Sequence, residues 1–260
     1  MPSIPFVKAT ACGNDFLIID ASAWSGDLHA FTREICDRHR GVGADGVEWI
    51  VPADVADIRI RLVNADGSDA EISGNGTRCV AAWYCSQNDA GLVRIDTDAG
   101  MRICELISRH GNSFEFRTAM GPPSVDPELT LGLTEDEVKG IPVSMGNPHL
   151  AIFVDEFAPR WKEMAAQIAI HRDFLQGTNV ELVHVLGPHE IDVRIWERGV
   201  GETLSSGTGS SASAVAAIQA GRAKSPVRVH TPGGIQTVAW DEQVFLTGPA
   251  TILCRGEFFG

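Results

Sequence analysis

The chain contains an internal repeat, and this repeat constrains the fold more than any other feature of the sequence. Gly13-Asn14 recurs as Gly146-Asn147, and Ser73-Gly74-Asn75-Gly76 recurs as Ser206-Gly207-Thr208-Gly209, both 133 residues further along. Three more matches keep this spacing to within one residue: Gly46-Val47-Glu48 with Asn179-Val180-Glu181, Ile58–Leu62 with Ile191–Ile195, and Arg94-Ile95 with Arg228-Val229. Ordered matches at one period indicate a duplicated unit. We predict two similar halves, residues 1–120 and 121–249, joined near residues 119–140, with the chain end at about 250–260 packing back onto the first half.

Each half is predicted to combine strands with a helix. The alternating, β-branched run Ile58–Leu62 is typical of a strand. A helix is expected directly after each repeated Ser-Gly-x-Gly, over Thr77–Trp83 and Ser210–Ile218. The second of these is small and apolar on every side, which suits a helix surrounded by sheet. Two further amphipathic helices are predicted over Leu28–His39 and Glu156–Ile170.

Composition excludes several classes of protein. The 260 residues are 44% hydrophobic and carry a net charge of −13, so we expect a folded chain without a broad surface for nucleic acid or anionic lipid. No apolar run approaches the roughly 20 residues of a membrane span, and the first residues lack the pattern of a signal peptide. We therefore expect a cytoplasmic protein without a membrane partner. The six cysteines form no Cys-x-x-Cys pair, which predicts neither zinc nor disulfides, and we expect all six to be buried.

The two Ser-Gly-x-Gly segments are candidate binding loops. A glycine-rich turn that opens a helix leaves backbone N–H groups free to bind a carboxylate or a phosphate. Neither copy has the lysine of a Walker motif or the spacing of a dinucleotide site. Ser73 and Ser206 suit helix N-caps, which by itself would explain a serine at each position. Their symmetry also suits proton exchange on opposite faces of one ligand in a cleft between the halves.

Seven motifs in order resemble those of the diaminopimelate epimerase family. They cover essentially the whole chain: Gly13-Asn14-Asp15-Phe16, Arg38–Asp45, Asn64–Ser68, Gly74–Cys79, Gly146–His149, Gly177–Glu181 and Glu197–Thr203. The resemblance implies an α/β (α+β) fold of two pseudo-symmetric halves, each a strand-rich, barrel-like sheet around a central helix, with the active site in the cleft between them. It also implies an epimerase that interconverts LL- and meso-diaminopimelate without metal or cofactor, acts as a homodimer, and serves lysine and peptidoglycan precursor synthesis.

The resemblance implies a two-base mechanism, from which this chain departs at two residues. Family members carry a cysteine before each glycine pair, one thiolate removing the α-proton while the opposite thiol protonates the other face. Here Ser73 and Ser206 stand at those positions. A hydroxyl does not ionise near neutral pH without a strong neighbouring base. His149 and Glu197, close to the family's catalytic pair, are candidates to activate the serines or to act as bases. The serines are either engineered replacements or features of a natural lineage.

Substrate binding is assigned by the same resemblance. Arg198 would pair with the distal carboxylate of the amino acid, and Glu197 lies where an ammonium group would be met. The other residues expected around the substrate are Asn14, Asn64, Gly74, Asn75, Asn147, Asn179, Gly207 and Thr208. Each asparagine, taken alone, also suits a turn. Gly46 replaces a glutamine that contacts substrate in many family members, which bears on specificity.

Two alternatives stand beside the epimerase. One is a racemase or isomerase of another small acid on the same fold, which Gly46 and the serines would suit. The other is a catalytically inactive protein that binds an amino acid.

Overall fold

The fold is mixed and rich in strands, as the sequence predicts. A computed structural model of the chain describes residues 3–134 and 137–259. In chain order, the first elements are β1 (Ser3–Ala11), β2 (Asn14–Asp20), α1 (Leu28–Cys36), β3 (Gly46–Val51), β4 (Ile58–Asn64), β5 (Asp69–Ala70), α2 (Gly74–Gln87), β6 (Leu92–Thr97), β7 (Gly100–His110) and β8 (Ser113–Gly121). They are followed by β9 (Ser124–Val125), β10 (Leu129–Gly132), β11 (Glu137–Ser144), β12 (Pro148–Phe153), α3 (Trp161–Ala169), β13 (Asn179–Gly187), β14 (Glu190–Glu197), β15 (Gly201–Thr203), α4 (Gly207–Gln219), β16 (Val227–Thr231), β17 (Gly234–Trp240) and β18 (Val244–Phe259).

The chain divides into two compact units, of which unit 1 comprises residues up to Thr118 together with those from Gly248 onward. In unit 1 the strands β1, β2, β3, β4, β6, β7, β8 and β18 each pair with the next, and β18 returns to β1, so eight strands close into a barrel. The helix α2 fills it, with Cys79, Val80, Ala81 and Ala82 all buried among residues of the surrounding strands. The helix α1 packs outside, where Phe31 and Ile35 meet Trp49 of β3.

Unit 2, residues 119–247, repeats this plan around α4. The strands β11, β12, β13, β14, β16 and β17 pair in that order, and Ala212–Ala217 of α4 are buried against them. Strand registers also repeat: β2 pairs with β3 at Phe16 and Gly46, and β12 pairs with β13 at His149 and Asn179. The mixed α/β fold, with strands wrapped around a central helix, is therefore confirmed.

The predicted boundaries of two helices need correction. The helix α1 ends at Cys36 rather than His39, because Asp37 takes the extended backbone of a C-cap. The helix α3 begins at Trp161 rather than Glu156, since Pro159 disfavours helical geometry in the residue before it. The predicted join near residues 119–140 carries the strands β9, β10 and the start of β11.

Two further observations concern the burial of the cysteines and the length of the helices. Five of the six cysteines are buried, but Cys254 is exposed on β18, which corrects the expectation that all six are buried. All six are free thiols. Over residues 3–134 and 137–259, no helix is both long enough and apolar enough to span a membrane.

Candidate active site

Both predicted serines are helix N-caps. We call residues 73–76 the unit 1 serine loop and residues 206–209 the unit 2 serine loop. Ser73 Oγ accepts a hydrogen bond from the Gly76 N–H at 3.1 Å, and Ser206 Oγ accepts one from the Gly209 N–H at 3.3 Å. A cap of this kind satisfies one of the free N–H groups in the first turn. The structural role that the sequence suggested for each serine is therefore present, and the loops share one local geometry.

A buried carboxyl group lies beside each serine loop, and the sequence analysis did not assign a role to it. Glu48 on β3 and Glu181 on β13 occupy equivalent places in the repeat, and both are fully buried. A Cβ atom at Gly76 would overlap Glu48 Oε1 and lie 3.2 Å from Ser73 Cβ. At Gly209 it would lie 2.8 Å from Glu181 Oε1 and 3.4 Å from Ser206 Oγ. The second glycine of each loop thus leaves space that a carboxyl group and a serine share.

One signal in the sequence pointed to these carboxyl groups. An acidic residue stands at an inward position of an otherwise apolar strand, and it recurs 133 residues later as Glu181. Glutamate is almost never fully buried without a partner. The repeat aligns the two glutamates, but only the packing of each strand against its helix shows that both side chains lie beside the serine loops.

The two carboxyl groups differ in their partners. Within the described residues neither oxygen of Glu48 has a hydrogen-bond partner, and burial raises the pKa of Glu48 to about 8. Glu181 Oε1 lies 2.7 Å from His149 Nδ1. Burial raises the pKa of Glu181, the hydrogen bond and charge of His149 act to lower it, and the charge of Glu197 raises it further. Glu48 is therefore a neutral acid at pH 7, whereas Glu181 belongs to a buried pair.

Hydrogen bonds link His149 to the unit 2 serine loop through two other predicted site residues. His149 Nε2 lies 3.0 Å from Asn147 Oδ1, and Asn147 Nδ2 donates to Thr208 Oγ1 at 3.5 Å. Thr208 Oγ1 in turn lies 3.5 Å from Ser206 Oγ. His149, predicted as an activating group or base, thus reaches Ser206 through Asn147 and Thr208 rather than by a direct bond.

Asparagines also meet beside the unit 1 serine loop. Asn75 Nδ2 donates to Asn14 Oδ1 at 2.7 Å, and Asn14 Nδ2 donates to Asp45 Oδ2 at 2.9 Å. The buried Arg78 guanidinium donates to Asn75 Oδ1. Asn64 takes no part in this set, because its side chain donates to Ser68 Oγ at 3.0 Å across a turn. The structure therefore brings Asn14 and Asn75 together, while Asn64 serves the turn that follows β4. Gly74 is exposed beside them.

The remaining predicted residues of unit 2 lie around the end of β14. Asn179 is buried, accepts a hydrogen bond from the Arg198 backbone N–H at 2.9 Å, and donates to the Pro148 carbonyl at 2.9 Å. The Arg198 guanidinium is exposed and donates to the Gln176 carbonyl at 2.7 Å. Gly177, with a φ of +72°, leaves room for the Arg198 side chain. Asn179 thus fixes the turn that carries Glu197 and Arg198. Gly207, also predicted, is half-buried at the start of α4.

Among the residues that the structure describes, no group of three or more His, Cys, Asp or Glu side chains is placed to hold a metal ion. The side chains beside the two serine loops include the two capped serines, two buried carboxyl groups and His149. Such groups are suited to moving protons, since burial brings the pKa of a carboxyl group toward neutral pH.

Comparison with known proteins agrees with the motifs. The family model described as diaminopimelate epimerase matches residues 6–125 and 141–253. A diaminopimelate epimerase of Carboxydothermus hydrogenoformans is 37% identical, over 98% of this chain and 99% of the relative. One of Pelotomaculum thermopropionicum is also 37% identical, over 97% and 98%.

Solved structures with little sequence identity share the fold. A hydroxyproline epimerase of Agrobacterium vitis superposes with a TM-score of 0.72 at 17% identity, over 99% of this chain and 92% of that one. A phenazine biosynthesis protein of the PhzF family from Bacillus anthracis gives a TM-score of 0.74 at 15% identity, with both chains fully covered. The family model and the whole-length relatives show that the chain belongs to the diaminopimelate epimerase family.

Proposed function

We propose that the protein interconverts LL- and meso-diaminopimelate by two-base proton transfer, without metal or cofactor, and that it acts as a homodimer. Membership of the family and its amino-acid epimerase relatives support the general reaction. The observation that carries the proposal is that both halves keep the glycine loop, the capping side chain and a buried carboxyl group beside it. An inactive chain would have no need to keep this set of groups twice.

The chemistry at each loop needs a proton acceptor stronger than serine alone. In this proposal the α-carbon loses a proton on one face and gains one on the other, and Ser73 and Ser206 stand where the family has thiols. Ser206 is linked through Thr208 and Asn147 to His149, and in this chain His149 Nε2 donates to Asn147 Oδ1 while Asn147 Nδ2 donates to Thr208. To accept the Ser206 proton, His149 would have to lose the Nε2 proton, release Asn147 and meet Ser206 Oγ directly. Glu197, whose charge acts on Glu181, is the second candidate acid or base in unit 2.

In this proposal Arg198 binds the distal carboxylate of the substrate and Glu197 binds an ammonium group. The Arg198 guanidinium is exposed and is held by one carbonyl, so it retains N–H groups that can donate to a carboxylate. The side chains of Asn14, Asn75 and Asn147 would contact the amino acid by their remaining donors and acceptors. Gly46 has no side chain that could contact the substrate, whereas many family members have a glutamine at this position. Specificity for diaminopimelate is therefore itself part of the proposal.

The first experiment measures α-proton exchange of LL-diaminopimelate in deuterated water by NMR. It compares the chain as written with the double variant Ser73→Cys/Ser206→Cys. Exchange by the chain as written supports the proposal and makes serine or a neighbour the base. If the chain as written gives no exchange and the double variant does, the protein is an epimerase fold whose catalytic thiols are missing. Silence from both contradicts the assignment for this substrate.

The serines favour one further candidate, a protein that binds an amino acid without turning it over. Saturable binding of diaminopimelate by calorimetry, with no exchange in either chain, would support this alternative. Exchange seen only with another amino acid would instead support a racemase of different specificity. A panel of amino acids in the same NMR assay separates these outcomes.

A further inference from the structure

Glu48 is the one carboxyl group among the described residues that is fully buried with both oxygens lacking a hydrogen-bond partner. It lies on the side of β3 that faces α2, whereas its neighbours Val47 and Trp49 face the core around α1. Burying a carboxyl group without partners is unfavourable, and large apolar side chains fill the equivalent layer of the barrel. The presence of an acid here therefore needs an explanation other than packing.

Gly76 keeps the carboxyl group next to Ser73. A Cβ atom at Gly76 would overlap Glu48 Oε1, and Ser73 Cβ lies 3.2 Å from the position of that Cβ atom. In unit 2 the equivalent glycine leaves similar space between Glu181 and Ser206. The arrangement of carboxyl, glycine and serine is thus built twice, and it directs each acid to the N-terminus of one helix.

The equivalent of His149 in unit 1 is Phe16. The two residues are 133 positions apart in the sequence, and each pairs with the first residue of the neighbouring parallel strand. Phe16 is buried in the core around α2 and offers Glu48 no hydrogen bond. Among the described residues, unit 1 therefore has no counterpart of the His149–Glu181 pair, and Glu48 is the carboxyl group at that place.

The surroundings of Glu48 keep its proton available at neutral pH. Its register partners on the neighbouring strands, Ile18 and Leu62, are apolar. The titratable group that faces it from α2 is the Cys79 thiol, whose pKa is itself raised by burial. Burial raises the pKa of Glu48 to about 8, so the acid and its conjugate base are both accessible near physiological pH.

We propose that Glu48 is a positioning residue that stores the proton exchanged at Ser73, so that the two serine loops are served by different groups: a single carboxyl in unit 1 and the His149–Glu181 pair in unit 2. The inference rests on the proposed function. In one direction Ser73 gives its hydroxyl proton to the α-carbon, whose electron pair forms the C–H bond, while neutral Glu48 returns a proton to Ser73 Oγ and becomes a carboxylate. In the other direction each step is reversed. The Ser73 hydroxyl must turn from the Gly76 N–H toward the carboxyl group for this transfer.

A thiol introduced at position 73 tests the inference without any turnover. Ser73→Cys is made in a Cys254→Ser background, because Cys254 is the exposed native thiol, and alkylation by iodoacetamide is followed against pH by mass spectrometry. Ionised Glu48 should suppress thiolate formation, so Glu48→Gln is expected to raise the alkylation rate at pH 9 at least about threefold and to move the inflection of the thiol to lower pH. Glu48→Asp, which keeps a carboxyl, should leave the inflection at the higher pH.

Glu181→Gln is the matched control, and it should leave the profile of the thiol at position 73 unchanged. The converse pair should behave in the same way: a thiol introduced by Ser206→Cys should respond to Glu181→Gln and not to Glu48→Gln. Identical profiles for Glu48 and Glu48→Gln in the Ser73→Cys background would overturn the inference, whatever the substrate of the protein.

Exchange kinetics then separate this inference from the proposed function. LL- and meso-diaminopimelate are supplied in separate experiments. Exchange of the α-proton without inversion of configuration then reports on the group that acts on one face of the α-carbon. Glu48→Gln should slow it at least about tenfold for one epimer and far less for the other. Equal effects on both would overturn the inference while the epimerase assignment stands. No exchange by the parent chain would instead remove the proposed function, and the thiol profiles would still decide whether Glu48 acts on position 73.

Discussion

The two serine loops of this protein have one backbone design and two different chemical surroundings. In both units a serine caps a helix, a glycine two residues into that helix adjoins a buried glutamate, and the glutamate comes from the same place in the strand order. In unit 2 that glutamate is paired with His149, whereas in unit 1 the equivalent residue is Phe16, and neither oxygen of Glu48 has a hydrogen-bond partner among the described residues. Strand register and capping thus persist in both halves, while one buried residue, His149 or Phe16, determines whether the glutamate has a hydrogen-bond partner.

Removing the acid from unit 1 should show the largest effect, because Glu48 binds a proton in the folded state that the unfolded chain releases. Burial raises its pKa from 4.5 to about 8. Its contribution to stability is therefore fully present below pH 4.5 and is lost as pH rises to 8, at up to about 1.4 kcal/mol per pH unit. We expect the free energy of unfolding of the parent, minus that of Glu48→Gln, to fall by about 3 to 4 kcal/mol between pH 5 and pH 8. Urea denaturation at several pH values measures it, and parallel curves would contradict a neutral Glu48.

Making unit 2 resemble unit 1 is the second test. His149→Phe copies Phe16 and leaves Glu181 buried without its partner, which should lower the free energy of unfolding by about 2 to 4 kcal/mol. Part of that loss should return at low pH, where Glu181 becomes protonated. Denaturation at pH 5 and pH 8 measures both quantities, and His189→Phe, at an exposed position, serves as the control. A cost below about 1 kcal/mol would show that the pair contributes little.

The space left by the second glycine of each loop provides a third test. Gly76→Ala places a methyl group onto Glu48 Oε1 inside a closed core, whereas Gly209→Ala meets Glu181 Oε1 at 2.8 Å. We expect costs of about 2 and about 1 kcal/mol, after the gain that alanine brings to a helix. Gly74→Ala is the control, since a Cβ there meets nothing within 4 Å. Equal stability of Gly74→Ala and Gly76→Ala would show that the carboxyl group does not need this space.

The smallest effect tests what the two units share. Ser73→Ala and Ser206→Ala each remove the oxygen that accepts the N–H of the third helical residue, at 3.1 and 3.3 Å. Each should cost about 1 kcal/mol, and the two costs should agree within a few tenths. Ser73→Thr and Ser206→Thr keep a capping oxygen and should restore most of the stability. Thermal unfolding at pH 7 measures these differences, and a large inequality would show that the loops are not equivalent as caps.

Much of the local structure could be predicted because it depends on short sequence patterns. The alternation of Ile58–Leu62 predicted β4, and the small, apolar run after Ser206 predicted a helix enclosed by sheet. The predicted end of α1 and the predicted start of α3 were wrong because helix termini depend on single capping residues and on Pro159, which periodicity does not detect. The sequence also assigned both serines to caps, which the hydrogen bonds show.

The candidate site was less accessible to sequence reasoning. The predicted role of His149 depended on the family motif, and its partner Glu181 was recorded only as part of a repeat. Asn64 matches the family motif as well as Asn14 does, yet their hydrogen bonds differ, since Asn64 bonds within its own turn and Asn14 bonds to Asn75. A motif gives the residue type, whereas the partner depends on which strand or helix lies opposite.

The sequence by itself determined the duplication, the two glycine loops, the mixed α/β fold and membership of the family, because all of these are properties of order and spacing along the chain. Only the tertiary structure decided that Glu48 lies against Gly76 and that Glu181 meets His149. Residues 48 and 76 come together because the barrel closes around α2. The protonation of a carboxyl group depends on the water and charges around it, and those are fixed only when the strands and the helix have packed.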